Sequence, residues 1–122
     1  MSDLAENRFV ILHHQLPSAG QSDEHWDFML EDGGELLTWA VEKRPEVGKQ
    51  IIARRLENHR LKYLDYEGPI SNKRGSVTQF LSGTYKWIER DENYIKIHLF
   101  ASSDFDSIEI SITDNNATFK FS

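Results

Sequence analysis

Residues 25–41 read HWDFMLEDGGELLTWAV, with two apolar runs on either side of an Asp-Gly-Gly sequence at residues 32–34. Aspartate and glycine supply the backbone conformations of a tight turn, so this stretch predicts a β-hairpin. Its two strands are expected at residues 25–31 and 35–41. Antiparallel β-structure is therefore the first expectation for the fold.

A period of two continues through most of the chain, as is typical of strands that bury one face. It is clearest where Ile95, Ile97 and Leu99 alternate with polar residues. Only residues 42–49 and 56–65 suit a turn or two of helix. The other predicted strands cover residues 8–14, 51–56, 76–80, 83–89, 94–100, 108–113 and 117–121.

Many short strands at regular spacing favour a closed or nearly closed barrel. We therefore predict a mainly β fold: a small antiparallel β-barrel with one or two short helices, forming one domain over residues 1–122.

The composition limits the kinds of site and surface that this chain of 122 residues offers. It has no cysteine, which excludes disulfides and thiolate metal sites, and its net charge is −6. An acidic chain argues against a surface that coats nucleic acid generally, but not against a small basic pocket. The polar start lacks the pattern of a secretory signal, and no apolar run is long enough to span a membrane. We expect a cytoplasmic protein.

His25 and Asp27 lie two residues apart, so they share one strand face about 7 Å apart along the strand. If the predicted strand 8–14 is a neighbour, either His13 or His14 can join them. Two imidazoles and a carboxylate suit Mn²⁺, Fe²⁺ or Zn²⁺. The alternative is a half-exposed sheet face with an ordinary His–Asp hydrogen bond.

His59 and Tyr63 lie four apart and would share a face in a helical turn. Histidine can protonate a leaving group or bind phosphate, and tyrosine can donate a hydrogen bond. The alternative is an amphipathic segment with Leu61 and Leu64 turned inward.

Five blocks of the sequence resemble, in the same order, those of one known family. They are RFVILHH (family RFVIQKH), HWDFMLE (HYDFRLE), LLTWAV (LKSWAV), ENHRLKY (EDHPLEY) and YEGPI (the start of FEGxIPEGxYGAG). The family is the 3′-phosphoesterase domain of bacterial DNA ligase D, a multifunctional end-joining repair ligase. The resemblance runs from residue 8 to about residue 87, roughly two-thirds of the chain.

The resemblance implies a small β-barrel that uses a divalent metal, preferably manganese, to remove 3′-terminal ribonucleotides and 3′-phosphates from DNA ends. By motif, His14, His25 and Asp27 match the metal ligands. His59 and Tyr63 match the phosphate-contacting histidine and tyrosine. Manganese is the expected ion, with zinc or another divalent ion as the alternative.

The chain also departs from the family. Met29 stands where the family has an arginine, and Leu12 replaces a glutamine near the site. The loop 15–24 is longer, and the family's N-terminal arm is largely missing because only seven residues precede residue 8. Methionine offers no hydrogen-bond donor to a phosphate.

Other cations would have to supply the missing charge, and Arg60, next to His59, is our first choice. We therefore expect substrate phosphate to contact His59, Tyr63, Arg60 and Arg55. The full set of candidate cations is Arg54, Arg55, Arg60, Lys73 and Arg74.

Three functions remain open. The first is a stand-alone phosphoesterase that acts on a nucleic-acid 3′ end or another phosphoester, with any repair proteins working in trans. The second is a catalytically weak or inactive module that binds metal, phosphate or DNA ends. The third is a small-ligand barrel with unrelated histidines. The sequence predicts no membrane partner and does not specify an oligomeric state.

Overall fold

A computed structural model describes residues 7–18, 21–70, 75–101 and 103–122 of the protein. Within these residues the secondary structure is β except for one 3₁₀ turn, Leu61–Leu64. The strands are β1 Asn7–Ser18, β2 Gln21–Asp32, β3 Glu35–Val41, β4 Gln50–His59, β5 Gly68–Pro69, β6 Ser76–Arg90, β7 Tyr94–Phe100, β8 Ser107–Thr113 and β9 Asn116–Phe121.

The strands form one antiparallel sheet in the order β1-β2-β3-β4-β9-β8-β7-β6-β5, and β1 also pairs with β6. That second pairing closes eight strands into a barrel, with β5 added at the edge of β6. The predicted small antiparallel barrel is confirmed.

β6 is one strand of 15 residues, although the sequence pattern predicted two. Its register against β1 shifts so that Leu81 pairs with Ile11 and Gln79 pairs with Leu12, which leaves Phe80 as an extra residue. A bulge of this kind interrupts the alternation of faces, so one bent strand looks like two short ones in the sequence.

The predicted helices reduce to the single 3₁₀ turn. Residues 42–49 contain turns and bends but no helix. In residues 56–65, β4 continues as far as His59 before the 3₁₀ turn begins. No helix in the described residues is both long enough and apolar enough to cross a membrane.

The two faces of the barrel wall bury different clusters. The interior contains the larger one, which includes Phe9, Ile11, Trp26, Phe28 and Trp39. A smaller cluster lies on the outer face. Its buried members are Val10, Leu12, Met29, Leu36, Leu64 and Val77.

Residues 61–70, here named the cover segment, lie over this outer cluster. Tyr63, Tyr66 and Ile70 pack against it. A salt bridge of 2.6 Å joins Arg8 to Asp65 and ties the segment to β1. The side-chain amide of Gln79 donates to the carbonyl of Leu64 at 3.1 Å, which ties it to β6. The cover segment is therefore fixed to the wall from two sides.

Candidate metal centre

Three potential metal ligands project from the outer face of β1 and β2. His14 pairs with His25 across these strands, and Leu12 pairs with Asp27. Trp26 and Phe28 alternate with these residues and enter the barrel core. The hydrophobic residues of this motif therefore pack in the barrel interior, and the polar ones lie on the outer face of the sheet.

The ligand atoms of His14, His25 and Asp27 face one another at short range. Nδ1 of His14 lies 3.1 Å from Nε2 of His25. Asp27 Oδ1 lies 3.0 Å from Nε2 of His25, and Oδ2 lies 3.4 Å from Nδ1 of His14. In the described part of the chain, these three residues form the group whose ligand atoms could hold a metal ion.

The hydrogen bonds within this group leave one buried acceptor without a donor. His14 and His25 share a hydrogen bond, yet Oδ1 of Asp27 accepts none among the described residues despite its closeness to His25. Buried polar atoms are nearly always paired, so an orphaned carboxylate oxygen beside two imidazole nitrogens needs an explanation. A cation among the three atoms would provide one.

Asp27 has the charge that such a cation requires. Its side chain is only 7% exposed. Burial raises the pKa of Asp27, but the neighbouring imidazoles of His14 and His25 favour its charged form more strongly, so the pKa lies below the usual value. Asp27 is therefore an ionised carboxylate at neutral pH.

His13, the other candidate from the sequence, lies on the opposite side of the sheet. Its ring stacks on Trp26 with centroids 4.7 Å apart, and its Nε2 lies 2.5 Å from Oε1 of Glu24. The alternation of β1 thus selects His14 as the histidine that meets His25 and Asp27.

The three residues open into a pocket of about 460 Å³ between the wall and the cover segment. His59 and Tyr63 line the same pocket, and their rings meet edge to face with centroids 5.6 Å apart. All five residues singled out by motif are brought together. The apolar walls are Leu12, Met29, Leu56, Ile70 and Val77.

His59 and Tyr63 meet for a different reason from the one the sequence suggested. His59 is the last residue of β4, whereas Tyr63 lies in the 3₁₀ turn that follows. Nδ1 of His59 lies 2.8 Å from the carbonyl of Glu57. Because a carbonyl only accepts, Nδ1 carries the proton, and Nε2 is the nitrogen left for a substrate.

Arg55 and Arg60, the two arginines expected to contact the substrate phosphate, do not line this pocket. Arg55 lies over the ring of Trp39 in the core, and its guanidinium donates to the carbonyls of Thr38 and Leu56. Arg60 is exposed outside the pocket. Lys73 and Arg74 lie outside the described residues.

Among the residues that the structure describes, Arg54 is the arginine that lines the pocket. Ile51 and Ala53 point into the core, so the alternation of β4 sends Arg54 to the outer face. The alternation of β4 is visible in the sequence and points to Arg54, whereas closeness to His59 along the chain favours Arg60.

Comparison with known proteins points to one family. The family model "DNA Ligase D 3′-phosphoesterase domain" matches residues 14–121. The multifunctional non-homologous end joining protein LigD of Mycobacterium bovis is 36% identical over 84 residues, 65% of this chain and 10% of the relative. The LigD DNA repair protein of Mycobacterium tuberculosis strain CDC 1551 gives the same identity and coverage.

The chain thus spans about a tenth of the length of these curated relatives. The family match covers nearly the whole barrel and includes all five motif residues of the pocket. The chain belongs to the DNA ligase D 3′-phosphoesterase domain family.

Proposed function

We propose that this protein is a divalent-metal-dependent phosphoesterase that removes a 3′-terminal ribonucleotide or 3′-phosphate from a nucleic-acid end. One observation carries the proposal: two imidazole nitrogens and a buried carboxylate face one another on a pocket whose other side presents His59 and Tyr63.

The spacing of His14, His25 and Asp27 supports the metal. Ligand atoms about 2.1 Å from a shared ion, at angles of about 90–110°, lie about 3.0–3.4 Å apart. The two imidazole nitrogens lie 3.1 Å apart, and each lies close to a different oxygen of the Asp27 carboxylate, at 3.0 Å for His25 and 3.4 Å for His14. With one ligand atom from each residue, the three atoms all lie within 4.8 Å of one another. We propose Mn²⁺ as the ion, with Zn²⁺ as the alternative to test against it.

A divalent ion bound there would act as a Lewis acid towards a phosphoryl oxygen and activate water. Residues of the chain would supply the proton and the hydrogen bonds to the phosphoryl group. Nε2 of His59, when protonated, would give its proton to the departing oxygen, and the contact of Nδ1 with the carbonyl of Glu57 would orient the ring. The hydroxyl of Tyr63 would donate to a phosphoryl oxygen from the cover segment.

One observation favours the second candidate, a module that binds metal and nucleic-acid ends with little or no catalysis. Met29 is 1% exposed and apolar where the family has an arginine, so that side of the pocket offers no donor to the phosphate. Growing charge on phosphoryl oxygens is hard to stabilise without such donors.

The third hypothesis, a small-ligand barrel with unrelated histidines, would need space for a ligand away from the histidine pocket. The interior contains the larger core cluster, whose members include Phe119 and Phe121, both fully buried. The pocket with the histidines lies on the outside of the wall.

The decisive experiment is a hydrolysis assay on a primer–template with a single 3′-ribonucleotide or a 3′-phosphate. Protein stripped of metal with a chelator should be inactive, and added Mn²⁺ should restore cleavage. His14→Ala should abolish activity, and His13→Ala, the same change one residue away on the other face, should not. Mn²⁺ binding without cleavage of either substrate would favour the binding module instead.

A further inference from the structure

Resting on the proposed function, we propose that Arg54 is the residue that binds the phosphoryl group of the substrate. Its guanidinium would reach the pocket over Ala40 of β3. The assignment gives the site a donor that the family's motif does not provide in this chain.

The register of the sheet puts Arg54 in line with the candidate metal centre. Asp27 pairs with Ala40 across β2 and β3, and Ala40 pairs with Arg54 across β3 and β4. Neighbouring strands lie about 4.8 Å apart, so two strand spacings, about 10 Å, separate the backbones of Asp27 and Arg54. The residue between them is an alanine, whose short side chain leaves room for a long one to cross.

The guanidinium of Arg54 is available for a ligand. In the parts of the chain that the structure covers, it makes no hydrogen bond or ion pair. Other arginines are engaged: Arg8 with Asp65, and Arg90 with Asp32. An unpaired guanidinium that lines a pocket is well suited to an anion, because it presents paired donors to two oxygens at once.

The surroundings of Arg54 favour one position for that anion. Arg54 and His25 also line an adjoining cavity of about 490 Å³, which Glu24 and Glu42 line as well. Their carboxylates disfavour an anion in the adjoining cavity. The metal-ligand side, where a bound cation adds positive charge, is where Arg54 and a phosphoryl group would meet.

The test compares two arginines that carry the same charge. Arg54→Met removes the guanidinium and keeps an apolar chain, and Arg60→Met makes the same change at an exposed position outside the pocket. The probe is inorganic phosphate, titrated calorimetrically into each protein with bound Mn²⁺ and again after chelation. The melting temperature with and without Mn²⁺ is measured in parallel.

Arg54→Met should weaken phosphate binding by about 10- to 100-fold, since hydrogen bonds to charged groups contribute about 1.5–3 kcal/mol. Arg60→Met should change it by less than about twofold, and both variants should keep the response to Mn²⁺. Equal losses in the two variants, no loss in Arg54→Met, or no phosphate binding by the wild type would each overturn the assignment. If Mn²⁺ leaves the melting temperature of the wild type unchanged but phosphate still binds through Arg54, the proposed metal-dependent function is wrong and the proposed anion site is supported.

A second pair of variants tests the route over β3 without altering charge. Ala40→Leu fills the gap and should weaken phosphate binding as Arg54→Met does, while Ala40→Ser should not. Thermal melting shows whether each variant is folded. A folded Ala40→Leu protein with wild-type phosphate affinity would contradict the route.

Discussion

His13 and His14 are consecutive in β1, yet their imidazoles lie on opposite faces of the sheet. The ring of His14 shares a hydrogen bond with His25, and the ring of His13 stacks on Trp26. The two histidines have similar side-chain exposures, 24% for His13 and 15% for His14. They are therefore a natural matched pair, with the same residue type in nearly the same sequence position and different surroundings.

The first prediction uses this pair. A ligand that binds only the folded state at about 100 times its dissociation constant adds about 2.7 kcal/mol of stability. For a chain of this size, that raises the melting temperature by on the order of 10 °C. We expect Mn²⁺ to produce such a rise in the wild type and in His13→Ala, measured by calorimetry after chelation and reloading. His14→Ala should show no rise, and a normal rise in that variant would exclude His14 as a ligand.

The second prediction separates the far side of the pocket from the metal centre. His59→Ala should lower the cleavage rate by about 100- to 10,000-fold, the usual contribution of a positioned acid or base. Tyr63→Phe removes one donor and should lower it by about tenfold. Both should keep the Mn²⁺-induced rise in melting temperature, because neither side chain belongs to the His14, His25 and Asp27 group.

The control for that experiment is His98→Ala, since His98 contacts the ring of Phe100 on β7 and does not line the pocket. It should cleave at the wild-type rate. A loss of metal response in His59→Ala would instead show that His59 belongs to the metal centre.

How well the sequence predicts this molecule depends on the range of the interaction involved. Strand alternation is local, so it correctly assigned Trp26 and Phe28 to the core and His25 and Asp27 to the opposite face. The bulge at Phe80 depends on pairing between β6 and β1, which a single strand's pattern does not reveal.

The arginines show the same limit. Closeness to His59 in the sequence favours Arg60. However, β4 ends at His59, and Arg60, the next residue, does not line the pocket. Arg54 reaches the pocket through the register of β3 and β4. Which residue of β4 lies across from the ligands on β2 depends on the pairing of the strands, so the distance between residues along the sequence does not predict it.

The third prediction concerns Met29. Restoring the family's arginine there should destabilise the protein, because Met29 lies in the apolar outer cluster with Leu12 and Val10. A charge left unpaired in such a site costs about 3–5 kcal/mol. Met29→Leu, which keeps volume and polarity, should cost less than about 1.5 kcal/mol. Urea unfolding of the two variants makes the comparison. A stable Met29→Arg protein with faster cleavage would mean that the pocket rearranges to accept the family's arginine.

The fourth prediction concerns the attachment of the cover segment to the wall. Gly75 has φ +87°, and a Cβ placed on it would lie 2.0 Å from the carbonyl oxygen of Gln15, the residue after His14. The carbonyl of Gly75 also accepts a hydrogen bond of 2.7 Å from the backbone N–H of Ile70, in the cover segment. Gly75→Ala must therefore push β1 and the cover segment apart, next to the candidate metal centre. Gly48 has a similar φ of +81° with nothing near its added Cβ, so Gly48→Ala isolates the backbone strain alone.

Gly48→Ala should cost about 1–2 kcal/mol of unfolding free energy, the usual penalty for a left-handed residue with a side chain. Gly75→Ala should cost clearly more, and it should also reduce both the Mn²⁺ response and cleavage, because the displaced backbone carries His14 on one side and the cover segment with Tyr63 on the other. Urea unfolding, metal-dependent melting and the cleavage assay measure the three effects. Equal costs for the two variants would mean that β1 and the cover segment can separate freely. The pocket between them would then need another source of rigidity.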